Sequence, residues 1–118
     1  MIDPNKRLND TFDALANKHR RAILYRLSLQ PRSISQLANE QELSHPAIHR
    51  HIKILEQAKL IKRRKSGRTN FLSIDRTGLL ELRNWIDQYH AYWGSQEETL
   101  ENYVASIERE NLKLKGKK

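Results

Sequence analysis

Apolar side chains recur at helical spacing over the first half of the chain, then alternate, then return to a longer helical repeat. Leu8, Phe12, Leu15 and Ala16 predict a first amphipathic helix over residues 7–16. Asn17 can cap a second helix, which Pro31 ends. In it Ala22, Ile23 and Leu27 face inward, while Arg20, Arg21 and Arg26 are expected to stay solvated or to point at phosphates. His19, near that helix start, reads as a surface residue. A short extended piece at residues 32–33 is positioned to add a third strand to a small sheet.

The stretch from Ser33 to Leu55 organises the rest. Ser33 with Gln36 three residues later makes a capping box, starting a helix that buries Ile34, Leu37 and Ala38. Ser44 offers a second N-cap, with Pro46 in the first turn, where a missing N–H does little harm. Ile48, Ile52 and Leu55 then form one apolar face, opposite His45, His49, Arg50 and Lys53. A helix, a corner and a second helix with a basic outer face make a helix-turn-helix, whose second helix can lie in a DNA major groove.

After Leu55, Leu60 and Ile61 should close the core. Alternating residues then flank the turn dipeptide Ser66-Gly67, and Phe71, Leu72 and Ile74 supply strand-forming side chains. This predicts a β-hairpin over about residues 60–74 with its tip at 65–68. Arg64, Lys65 and Arg68 there suit contact with the sugar-phosphate backbone or a minor groove. The fold class is therefore mainly α with a small β-hairpin wing, a winged helix-turn-helix over residues 1–76.

From residue 77 a different pattern begins. Leu82, Ile86, Tyr89, Trp93, Gln96, Leu100, Tyr103 and Ile107 follow at alternating steps of four and three, a heptad seam. One helix over residues 79–112 would run about 50 Å, longer than this domain can bury, and a second copy of it is the simplest cover. Residues 77–118 thus read as a C-terminal dimerisation helix with a basic tail, frayed over 113–118. Gly94-Ser95 interrupts helix propensity, and Gln96 in the seam could fix register.

Charge sharpens this division. The chain of 118 residues carries a net +8. Residues 1–76 hold sixteen Lys/Arg against seven Asp/Glu, a balance of +9, and residues 77–118 hold six against seven, a balance of −1. The excess sits with the two-helix unit, which points to a polyanion such as double-stranded DNA. The chain has no cysteine, which excludes disulfides and thiolate chemistry. No apolar run is long enough to span a bilayer and no signal-peptide core opens the sequence, so no membrane partner is expected and the location reads as cytoplasmic, at the nucleoid.

Other chemistry finds little support. His45 and His49 have a spacing that can bind a transition metal, but Arg50 and Lys53 flank them and disfavour a cation. In the last helix, Asp87 and His90 could join Glu97, Glu98 or Glu101 across a dimer, which keeps a metal-responsive regulator as an alternative; a winged-helix protein-interaction module is another. No nucleophile–base constellation or glycine-rich phosphate loop is present, so neither an enzyme nor a cofactor is indicated.

Residues 20–24 RRAIL, 36–38 QLA, 44–61 SHPAIHRHIKILEQAKLI, 63–68 RRKSGR and 89–93 YHAYW resemble the ArsR/SmtB-like winged-helix repressors, in particular the branch without metal-binding cysteines. The resemblance implies a homodimeric DNA-binding transcriptional regulator, usually a repressor released by an effector or a modification. It also implies dimerisation through the first and last helices, which brings in Phe12. By position, Ser44, His45, Ala47, His49 and Arg50 would face the groove, with His51 and Lys53 near the backbone and Arg68 at the wing tip. Two departures stand out. A corner position often held by glycine is Glu42, where a left-handed backbone would be strained, and the place of the family's cysteine pair holds only residues 36–40, QLANE.

Overall fold

In a computed structural model of the chain, which describes residues 4–89 and 96–116, the N-terminal region opens with α1 (Pro4–Leu15) and α2 (Lys18–Leu29). Asn17 caps α2, its side-chain oxygen accepting from the His19 and Arg20 amides at 2.9 and 3.2 Å. After Pro31, β1 (Arg32–Ser33) leads into α3 (Ile34–Glu40). The capping box forms in full: the Gln36 amide donates to Ser33 Oγ, and the Ser33 amide donates to Gln36 Oε1. The second helix of the pair, α4 (His45–Gln57), starts from the Ser44 cap.

Both α3 and α4 stop in the same way. The Leu43 amide reaches back to the Ala38 carbonyl and the Glu42 amide to that of Asn39; one helix later Leu60 and Lys59 reach Leu55 and Glu56. These are paired Schellman closures, and each places one residue in the left-handed region. Glycine is favoured there, yet Glu42 (φ +54°) and Lys59 (φ +58°) occupy the two positions. The corner at Glu42 thus has the left-handed backbone that its side chain disfavours.

Lys59 turns the chain into the wing, β2 (Ile61–Ser66) and β3 (Thr69–Ile74). The three strands are antiparallel in the order β1-β3-β2, so the residues just before α3 pair with the wing: Ser33 with Phe71 and Arg32 with Leu72. Ile23, Leu37, Ile48, Ile52, Leu55, Leu60, Ile61 and Leu72 make a core with almost no solvent exposure. Next, α5 (Arg76–Asp87) is seated on the end of α4, with the Gly78 amide donating to the Lys59 carbonyl at 2.8 Å. A Cβ on Gly78 would stand 2.6 Å from the Ala58 carbonyl oxygen, so only glycine lets the two backbones approach.

The single helix expected over residues 79–112 is not what forms. The Gln88 and Tyr89 amides turn back three residues, to Trp85 and Ile86, and this tighter pattern ends α5 at Asp87. A separate helix, α6 (Gln96–Gly116), follows and continues into the tail expected to fray. Trp93 and the Gly94-Ser95 pair lie outside the described residues. The chain divides into two compact units at Asn84/Trp85. In the second, Leu100, Tyr103, Val104 and Ile107 recur along one side of α6 and are 41–64% exposed.

Two substitutions test the backbone argument. Glu42→Gly should relieve left-handed strain and raise stability by about 0.5–1 kcal/mol. Gly78→Ala should lower it by about 1–3 kcal/mol through overpacking against a main-chain oxygen. Urea denaturation midpoints at constant slope read both.

Candidate nucleic-acid interface

Burial of Ile48, Ile52 and Leu55 at zero exposure fixes the rotation of α4 about its axis. With that face inward, His45, His49, Arg50 and Lys53 are exposed, Ala47 is half-buried, and Ser44 sits exposed at the start. The Ser44 oxygen accepts from the Ala47 amide at 3.3 Å, which leaves its hydroxyl hydrogen free to donate. The rings of His45 and His49 lie 6.5 Å apart. Both line an open groove of about 420 Å³ that also takes in Ser33, Ser35, Arg68 and Asn70. The groove contains no carboxylate. The first turns of α4, the start of α3 and the wing tip therefore border one concave surface.

The wing turn is two residues long, Gly67 and Arg68, between the paired Ser66 and Thr69. Gly67 has φ +63° and Arg68 does not share it, the signature of a type II′ hairpin, which needs glycine first. Strand register separates the basic residues expected to act together. Lys65 pairs with Asn70 and Arg64 with Phe71, so Arg64 and Lys65 project from opposite faces of the hairpin. Arg63, on the core-facing side, forms an ion pair with Glu56 of α4 at 2.8 Å. Lys62, Arg64, Lys65 and Arg68 are exposed; among the described residues none forms a close ion pair, although Lys62 acts electrostatically on the Asp75 carboxylate.

Of the arginines of α2 expected to be solvated or aimed at phosphates, Arg21 stays exposed, whereas Arg20 and Arg26 are half-buried, and all three hold partners within the domain. Arg20 donates from Nε to the Ala14 carbonyl (2.7 Å) and from Nη2 to that of Asp13 (3.1 Å). Arg21 donates to the Leu15 carbonyl at 2.8 Å. These carbonyls lie in the last turn of α1, where the helix dipole favours a cation; that of Asp13 also accepts from the Ala16 amide at 3.3 Å. Arg26 and Arg32 share Glu40, each at 2.7 Å, and Arg26 also donates to Gln41. Cations near the C-terminus of one helix and beside a lone carboxylate have nearer partners than a phosphate.

His51 is half-buried and turned towards α2, away from the exposed row. Its Nδ1 lies 3.2 Å from Arg20 Nη1, and its ring 5.8 Å from that of His19. Burial first, then the charges of Arg20, His19 and Arg50, hold its pKa below the ordinary histidine value. At the far end of the wing, the Thr77 amide donates to the Asp75 carboxylate, which lowers the pKa of that group.

Sequence reasoning missed Ser33, Ser35, Thr69 and Asn70 as groove residues, and Arg20 as a partner of His51. The wing residues were recoverable: a two-residue turn at Gly67 sets the register that puts Thr69 and Asn70 beside Arg68. Contacts between α2 and α4 have no local sequence signal. Among the described residues no three His, Asp or Glu gather as a metal site. The metal reading of the last helix relied on His90 and the Glu97 and Glu98 side chains, which lie outside the description. No described helix is long and apolar enough to cross a membrane.

Comparison with known proteins agrees with this geometry. A family model described as a helix-turn-helix domain matches residues 15–64. Over 78 residues the chain is 37% identical to the HTH-type transcriptional regulator Rv2034 of Mycobacterium tuberculosis, spanning 66% of this chain and 73% of that one. It is 30% identical over 79 residues to the transcriptional repressor SdpR of Bacillus subtilis, spanning 67% and 88%. The crystal structure of an ArsR family transcriptional regulator, RHA00566, matches with a TM-score of 0.70 at 33% identity, over 80% of this chain and 98% of that one.

The lowered His51 pKa gives a pH prediction. The folded state binds a proton there more weakly than the unfolded chain does, so stability is full above the unfolded value of 6.5 and falls as pH drops through it. Replacing His51 by Asn should remove that component, seen by comparing urea midpoints of parent and variant across the histidine range.

Proposed function

Because the chain belongs to the ArsR-like winged helix-turn-helix transcriptional regulators, we propose that it is a homodimeric repressor of an inverted-repeat operator. In this reading α4 enters the major groove and wing residues 62–70 lie at the backbone or minor groove, with the protein acting at the cytoplasmic nucleoid. The observation that carries it is the carboxylate-free groove joining His45 and His49 to Arg68. Every exposed polar side chain on the outer face of the first turns of α4 donates hydrogen bonds or carries positive charge. Such groups match the acceptor edges of bases and the phosphates.

His45, His49 and Arg50, with Ser44 and Ala47, are the base-reading set, and Lys53, Arg64, Lys65 and Arg68 are the backbone set. His51 belongs with neither, given its engagement by Arg20. Dimerisation is supported by the apolar side of α6, where Leu100, Tyr103 and Ile107 recur at heptad positions and stand exposed in the single chain. Leu82, Ile86, Tyr89, Trp93, Gln96 and Phe12 complete the proposed interface. A two-fold pair would present its reading helices about 34–36 Å apart, one turn of the duplex.

Selection of bound sequences from random DNA tests the reading and should return an inverted repeat. His49→Ala should lower discrimination between that repeat and random DNA by about 1–3 kcal/mol. Arg68→Ala should weaken binding to both and flatten the salt dependence by about 0.9 in log–log slope per protomer. Ile107→Glu should give a monomer by sedimentation, with weakened operator binding. Parent-like titrations for the first two variants would show the roles to be misassigned.

A further inference from the structure

Among the described residues, Arg20 of α2 and His51 of α4 make a hydrogen-bonding contact between the two helices, and they are 31 residues apart in sequence. All three nitrogens of the Arg20 guanidinium are engaged, two by the last carbonyls of α1 and the third by His51. Its backbone is held as well, because the Arg20 amide donates to the Asn17 cap. Arginine has no acceptor, so His51 Nδ1 must accept, and the neutral ring carries its proton on Nε2. We propose that Arg20 and His51 form a strut that sets the angle of α4 against α1 and α2, making them positioning residues for operator recognition rather than DNA contacts. This rests on the DNA-binding reading above.

Three observations converge on the strut. Turning Arg20 to a phosphate would take its donors from the Ala14 and Asp13 carbonyls at the end of α1, leaving Asp13 only the longer bond from the Ala16 amide. His51 lies in the stretch of α4 that carries His49 and Arg50, so a shift at its ring moves the side chains that would read bases. Side chains that read a groove need placement within about 0.5 Å, which takes close packing and supporting hydrogen bonds together. The groups facing His51 are Arg20 and His19 from α2 and Arg50 on its own helix, all basic, while Asp13 of α1 enters only through its main-chain carbonyl to Arg20. Protonating His51 would remove the accepting lone pair and set two cations against each other.

The two amide replacements of His51 separate positioning from simple packing. Asparagine can place an oxygen where Nδ1 stands, whereas glutamine places it nearer the Nε2 position. With the full chain and its selected operator, His51→Asn should bind within about twofold of the parent, and His51→Gln should lose about tenfold, while both bind a random duplex alike. Below the ordinary histidine range, the parent should lose operator affinity relative to His51→Asn. Equal operator binding by the two variants, or an equal loss on random DNA, would overturn the proposal. Side-chain ¹⁵N NMR tests the strut without DNA: a bare Nδ1 whose resonance shifts in Arg20→Met supports it, and a protonated Nδ1, or a resonance unchanged in that variant, sinks it. Failure of the selection to return any operator would count instead against the DNA-binding reading, leaving the NMR result to judge the strut.

Discussion

The burial of Ile48, Ile52 and Leu55 is the constraint from which the interface follows. Each of these side chains loses all contact with solvent, which contributes about 1.5–3 kcal/mol apiece. A helix has one rotation that satisfies three such positions together, so the cationic and imidazole side chains opposite have no choice but to face water. The ends of that helix are then closed from both sides. Ser44 caps its start, and the Schellman turn at Lys59 redirects the chain into the wing while α5 is seated on the same turn through Gly78. Local geometry and core packing agree, which is the condition for a single well-defined orientation.

Charge is sorted by where its partners lie. Arg26 and Arg32 converge on Glu40, Arg7 reaches Glu81, and Arg63 reaches Glu56. Arg20 and Arg21 satisfy the carbonyls at the end of α1. These cations are held in the frame by near partners, although Arg26 and Arg32 share one carboxylate and Arg20 and Arg21 meet only neutral carbonyls, so part of their charge stays unneutralised. The surplus that makes the N-terminal half basic is concentrated in the exposed residues of α4 and the wing. Exposed ion pairs of this kind contribute little energy each, so their role is alignment more than stability.

Much of this architecture is legible in the amino-acid order. The caps at Asn17, Ser33 and Ser44, the three aliphatic positions of α4 and the turn at Gly67 are all local signals, and each takes its expected place. The short β1 strand follows from the same local reasoning, whereas the left-handed corner at Glu42 is flagged only by the family resemblance. What local signals do not carry is which arginine meets which acceptor. Arg20, Arg21 and Arg26 look identical to solvated residues until α1, α3 and α4 are brought around them. The expectation of one continuous helix in the C-terminal region fails in another way: the steps of four and three continue past Tyr89, but hydrogen bonding at Gln88 and Tyr89 tightens and α5 ends. Side-chain periodicity reports which face is apolar and is blind to where the backbone ladder stops.

The three-stranded sheet ties the beginning of α3 to the wing, since β3 pairs with β2 on one edge and with Ser33 on the other. Ser33 is at once a strand residue and a helix cap, and Arg63 clamps the base of the hairpin to Glu56. The two jaws of this caliper cannot open independently. In the proposed complex, compliance for a close fit would come mainly from the nucleic acid, and stretches whose natural groove width already suits the gap would gain an advantage even at base pairs that no side chain touches.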